Sequence, residues 1–311
     1  MPPRRTPPPV RARLRRSRAG RTEWPRADRD RERASSDVYY CVVPAPQATL
    51  LTRVRAYWDQ RIHDLEISKH PPGSPGFFSD LDEYHFQKLH HLPRLVDFDG
   101  WRGRRVLDVG CGAGIDLARF ARSGARGVGV DLAHGAARLA LTYVRQQSLP
   151  AGIVEANGAS LPFPSSSFDF VFAHGVIQYA PDDGAIVGEV HRVLKPGGQA
   201  VFQVYNRVSW LNALSKVMKV GLEHEDAPVL RKYRIGEFRR LLSPFVEVRI
   251  VSERFPVKSR LHGGWKGAVY NGVFVGTFNA LPRSLVERYG WHLLGFCRKG
   301  DSHLFTEKEK R

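Results

Sequence analysis

Apolar residues recur at two different periods along this chain, and the change from one to the other divides it. Between Gln47 and Leu65, the residues Leu50, Leu51, Val54, Tyr57, Trp58, Ile62 and Leu65 follow helical spacing. The run His70-Pro-Pro-Gly-Ser-Pro-Gly76 interrupts that pattern. Ser79, with Asp82 three residues on, resembles a capping box. It predicts a second helix whose apolar face is Leu81, Tyr84, Leu89, Leu92 and Val96. Both helices precede the first convincing strand and so predict an N-terminal cap.

From Arg105 short apolar runs alternate with helical ones. Strands are predicted at 106–109, 127–130, 153–156, 168–173 and 200–205. Helices are predicted at 116–123 and 132–147, and a third carries Ile186, Val190, Val193 and Leu194. Lys195-Pro-Gly-Gly198 reads as the stop of that third helix, with a cation at its negative end. Such alternation predicts βαβ units, a parallel sheet and a doubly wound α/β class. After Tyr205 the rhythm changes. Helices are predicted at 208–221 and 236–242 and strands at 246–251 and 291–297. The long separator from Ser252 to Gly290 holds Trp265, Tyr270, Phe274, Phe278 and Tyr289, and is expected to be ordered and functional.

Composition adds boundaries. An apolar fraction of 42% with 17 Phe, 10 Tyr and 6 Trp suffices for a core. Cys41, Cys111 and Cys297 are too scattered for a disulfide framework or a paired metal knuckle and suit a reducing cytoplasm. No run of about 18 apolar residues predicts a transmembrane helix, and Met1-Pro-Pro-Arg-Arg lacks the apolar region of a secretory signal. The net charge of +17 is unevenly spread: residues 1 to 37 hold twelve Arg against five acids. That Arg- and Pro-rich tail is expected to be disordered. It reads as a plain solvated tail, as translated upstream sequence, as a transit peptide, or as an arm for nucleic acid or an anionic surface. The expected division is therefore a tail at 1–37, a helical cap at 38–100 and one domain at 101–311 with insertions at 206–243 and 252–290.

The chemistry gathers in the middle third. Val106-Leu-Asp-Val-Gly-Cys-Gly-Ala-Gly114 sets G-x-G-x-G between a strand and a helix, where bare backbone can approach a ligand closely. A dinucleotide fingerprint needs a further glycine where Ile115 stands. Asp131 ends the next strand, and a carboxylate there can accept from both hydroxyls of a ribose.

With VLDVGCGAG (106–114), GVD (129–131), LPFPSSSFDFVFAHGVIQY (161–179) and EVHRVLKPGG (189–198), the chain resembles class I S-adenosylmethionine-dependent methyltransferases. The resemblance is to the group that includes ubiquinone and menaquinone C-methyltransferases. It implies a Rossmann-like, mostly parallel seven-stranded sheet with S-adenosyl-L-methionine as cofactor. Asp108 and the backbone of Gly110, Gly112 and Gly114 would hold the methionine moiety. Asp131 would bind the ribose and Leu132 the adenine face. Asn157, beside Gly158, stands where the family often has an acid for the adenine amino group. His174 would lie beside the sulfonium, either as part of the cofactor's surroundings or as a substrate base. Tyr179 is a second catalytic position or a packing residue, and Gln178 replaces a histidine common in the family. Cys111 reads as a buried filler, and Asp182-Asp183 as a helix N-cap. His85, His90 and His91 lack further ligands in sequence, so no metal is expected.

These features point to a methyltransferase for a small-molecule or lipid-like acceptor, its pocket lying between the N-terminal helices, 208–221 and 252–290. An RNA or protein methyltransferase is the second reading. It has the basic charge behind it, but Ala173-His-Gly-Val-Ile-Gln178 lacks the N/D-P-P-Y/F of base N-methylases. A non-catalytic cofactor-binding protein is the third.

Overall fold

A computed structural model describes residues 45–62, 64–219, 221–256, 272 and 275–301. The tail at 1–37, and with it Trp265 and Tyr270, lies outside the described residues.

Seven strands form one sheet. They are β1 Arg105–Val109, β2 Arg126–Asp131, β3 Ala151–Glu155, β4 Phe168–His174, β5 Leu194–Tyr205, β6 Glu247–Glu253 and β7 His292–Arg298. Their order is β3-β2-β1-β4-β5-β7-β6. The pairs among β1 to β5 are parallel, whereas β7 runs antiparallel to both β5 and β6. The winding direction reverses between β1 and β4, the place where doubly wound sheets open a crevice at their strand C-termini.

Eight helices matter for the site: α1 Ala45–Gln60, α2 Pro75–Lys88, α3 Leu92–Leu95, α4 Ile115–Arg122, α5 His134–Gln146, α6 Asp183–Val193, α7 Trp210–Met218 and α8 Ile235–Leu241. The strands alternate their side chains between two cores, as the two-residue period requires. Val106, Phe170, Phe172, Val201 and Leu294 meet Phe120 of α4 and Leu89 and Leu92 on one face. Leu107, Val109, Val171, Phe202 and Leu293 meet Ile186 and Val190 of α6 and Phe238 of α8 on the other. Both faces are covered, which is why these strands read as continuous apolar runs.

Several boundaries differ from expectation. The second helix begins at Pro75, not at Ser79. Ser74 is its N-cap, accepting from the Phe77 N–H at 3.3 Å, and Pro75 follows in the first turn. Proline pre-sets the helical φ at that position, so Ser74-Pro75 outcompetes the Ser79-Asp82 pair. This helix stops at Lys88, and Leu92 and Val96 belong to the turn-like α3 and its end. The segment Lys195-Pro-Gly-Gly198 belongs to β5, since α6 already ends at Val193. Backbone bonds explain the exchange. Gly197 N–H donates to Lys299 O at 3.1 Å, and Lys299 N–H donates to Gly198 O at 2.9 Å. Within the expected 252–290 insertion, β6 reaches Glu253, and short helices occur at Val275–Ala280 and Arg283–Val286.

Candidate active site

The strand C-termini of β1, β2 and β4 converge on one cavity of about 250 Å³ beneath α1 and α2. Its first wall is the loop after β1. Gly110 has φ +68°, and a Cβ there would lie 2.3 Å from Val176 Cγ2, so the loop packs too closely for any other residue. Gly112 has φ +54°, and a Cβ there would meet nothing within 4 Å, so this glycine leaves open space beside the cavity. Gly114 closes the loop against Ala140 of α5 instead, its virtual Cβ 3.1 Å away.

Three carboxylates stand under this loop. Asp131 at the end of β2 accepts from Gly112 N–H with Oδ2 and from Ala133 N–H with Oδ1, both at 2.9 Å. Burial raises its pKa, and those backbone donors pull it partly back. A lone pair on each oxygen remains for a ribose hydroxyl. Asp108 in β1 is buried, and its Oδ2 has no hydrogen-bond partner. Burial, then the nearby Asp116 and Asp131 carboxylates, push its pKa well up. Such an orphaned acceptor fits a cationic group like the ammonium of the methionine moiety. Leu132, Asn157 and Gly158 line the same wall. Asn157 Oδ1 accepts from Ala159 N–H at 3.0 Å, so one of the oxygen's two acceptor positions is already engaged.

The third carboxylate, Asp116, was not singled out by sequence. It sits in the first turn of α4, buried, between two histidines. His85 Nε2 lies 3.0 Å from its Oδ1, and His174 Nδ1 lies 3.6 Å from its Oδ2. Burial opposes the charge of Asp116, but the two imidazoles hold its pKa below the ordinary carboxylate range. Burial pushes His85 down, and the Asp116 carboxylate more than reverses this, leaving it raised. For His174 burial wins, and its pKa is lowered. The His174 ring stacks on Phe172, with centroids 5.6 Å apart. Its Nε2 is buried without a partner.

Beyond His174 the wall becomes aromatic. Tyr179 donates to the Tyr205 hydroxyl at 3.0 Å, and Trp58 of α1 meets Tyr179 edge-on at 4.8 Å. Burial pushes the Tyr179 hydroxyl far up and that of Tyr205 to about 12, so both stay protonated. Lys88, Arg254, Asp64 and Glu223 ring this end, with Lys88 pairing Asp64 at 3.2 Å and Glu223 at 3.1 Å. Asp64, His224 and Arg254 all have φ near +60°. Left-handed backbone at three residues of one cavity is the clustering of strain found at binding sites.

Comparison with known proteins bears on this geometry. Residues 107–202, which carry the glycine loop, Asp131, His174 and Tyr179, match the family described as methyltransferase domain. Residues 107–202 are a methyltransferase domain. A ubiquinone biosynthesis O-methyltransferase of Sodalis glossinidius is 34% identical over 158 residues, covering 46% of this chain. The match spans 59% of that relative's length, short of two thirds. One of Chromobacterium violaceum is 29% identical, with 58% of this chain and 82% of that one aligned. A sterol 24-C-methyltransferase of Gibberella zeae is 30% identical, with 63% of this chain and 50% of that one aligned. In fold, the chain is similar to geranyl diphosphate C-methyltransferase from Streptomyces coelicolor. The TM-score is 0.55 at 18% identity, covering 82% of this chain and 100% of that one. Among the described residues no helix is long and apolar enough to cross a membrane.

Proposed function

We propose that this chain methylates a small, ring-bearing or lipid-like acceptor with S-adenosylmethionine as donor. One observation carries the reading: a single cavity joins the glycine loop and its carboxylates to the aromatic wall of Trp58, Tyr179 and Tyr205. When bound, the donor supplies an electrophilic methyl group on a sulfonium. The protein's part is proximity and alignment, worth on the order of 7–11 kcal/mol. Asp108 would take the ammonium, Asp131 the ribose hydroxyls, Leu132 the adenine face, and Asn157 with Gly158 the adenine edge. His174, at the end of β4, would stand at the reacting centre. Tyr179 stays protonated, with its O–H given to Tyr205, so it would serve as wall rather than base. Its ring and that of Trp58 offer faces for a cationic methyl group.

Relatives named for ubiquinone-biosynthesis O-methylation and sterol 24-C-methylation support a hydrophobic acceptor. The buried free thiols Cys111 and Cys297 support action in a reducing cytoplasm. No described feature favours nucleic acid or protein as acceptor. The test is transfer of labelled methyl from S-adenosylmethionine to a panel of phenols, polyprenyl compounds and sterols. Label on one of these supports the reading. Label confined to RNA or protein overturns the acceptor class, and tight donor binding with no label anywhere overturns catalysis.

A further inference from the structure

We propose that His85, Asp116 and His174 form a binding site for one first-row divalent metal ion at the floor of the cavity. The inference rests on the cavity being the methyl-transfer site, and it names what would activate an acceptor there. The three residues come from α2, the first turn of α4 and the end of β4, and the fold brings one ligand atom from each within 4.8 Å of the others.

A hydrogen bond explains His85 with Asp116, at 3.0 Å. It does not explain His174. Its Nδ1 stands 3.6 Å from the carboxylate, too far for a hydrogen bond, and its Nε2 is buried without a partner. Ligand atoms about 2.1 Å from a metal lie about 3.0 Å apart at right angles and about 3.4 Å apart at a tetrahedral angle. The His85 Nε2 to Asp116 Oδ1 distance of 3.0 Å already has such a length, and His174 Nδ1, 3.6 Å from the other oxygen, Oδ2, needs a side-chain rotation to join it. Asp131 is a further carboxylate near this floor, and after burial the repulsion of Asp116 and Asp131 is what pushes the pKa of Asp108 up.

Two imidazoles and one carboxylate select manganese, iron, cobalt, nickel or zinc over magnesium or calcium. All three residues line the cavity, and three protein ligands would leave room for an acceptor oxygen to complete the set. A hydroxyl bound there would lose its proton to bulk water more readily. Its oxygen would form the O–CH3 bond as the S–CH3 bond breaks, the electron pair of that bond passing to sulfur. The aromatic wall supplies no base, and this site would supply the missing activation.

The test uses the full chain, stripped with chelator and titrated calorimetrically with Mn2+ or Zn2+ alone. One equivalent should bind, and proton release should follow from the differing heats in two buffers. His85→Ala and His174→Ala should each weaken binding at least about tenfold while their circular dichroism is unchanged. Should a variant fail to fold, Asp116→Asn, similar in shape, is read in its place. Absence of saturable binding by the intact chain, or equal binding by the folded variants, overturns the site. Titration of the same preparation with S-adenosylhomocysteine separates the two ideas: binding of that product without metal sinks only this inference, whereas its failure to bind sinks the methyltransferase reading.

Discussion

A methyl group on Gly110 would collide with Val176 Cγ2 at 2.3 Å, on a backbone already at φ +68°. Gly110→Ala is therefore expected to lower stability by about 1–3 kcal/mol, through strain and overpacking together. Thermal unfolding of the variant checks this, and an unchanged midpoint would contradict it. Gly112→Ala carries only the strain of its φ of +54°, because its added methyl meets nothing within 4 Å. That variant should fold and lose donor affinity instead. Asp131 could be named from sequence because it ends an apolar strand after the glycine loop, and Asp108 because it lies within the motif that carries the family resemblance. Asp116 could not. Ile115-Asp116 reads as an ordinary first helical turn, and its partners come from α2 and β4, which only the fold brings near.

Among the elements, α1 is the one that depends on the site as much as the site on it. It is held over the strand ends by Arg55 paired with the buried Glu155, and by Asp59 accepting from the Gly135 N–H at 3.0 Å. This places Trp58 edge-on to Tyr179. Trp58→Ala should raise the acceptor's KM or lower kcat while S-adenosylhomocysteine binding stays within about tenfold, or 1.4 kcal/mol. Equal losses of stability, donor binding and turnover would show Trp58 to be core instead. The strands were legible because their apolar runs and glycine-flanked ends leave few alternatives. Helix starts were less so. Ser74-Pro75 and Ser79-Asp82 are both plausible caps by local chemistry, and burial of Phe77 and Phe78 against Ala118 and Tyr143 favours the earlier one. The start of β5 was hidden because Lys-Pro-Gly-Gly reads locally as a helix stop, and only pairing with Lys299 makes it a strand.

For the whole molecule, buried histidines predict how stability follows pH. His91 is fully buried with both ring nitrogens unpartnered. Burial, aided by His174, His90, Arg254 and Arg94, lowers its pKa from 6.5 to about 3. Between those values the unfolded chain binds a proton that the folded one does not, so stability falls as pH falls. His91 alone contributes a slope of about 1.4 kcal/mol per pH unit. His292 and His174, also lowered, add to it, while the raised His85 acts above pH 6.5, where it stabilises the folded chain as pH falls. Urea unfolding of His91→Leu across this range should show a shallower dependence than the parent, and an identical slope would contradict the assignment. The central claim is that the glycine loop and Asp131 hold S-adenosylmethionine. Calorimetric titration with S-adenosylhomocysteine, comparing the parent with Asp131→Ala, tests it most directly. The parent should bind one equivalent, and the variant, folded by circular dichroism, should lose about 1–3 kcal/mol of affinity as the ribose hydroxyls lose a charged acceptor. No binding by the parent, or equal affinity in the two proteins, would contradict it.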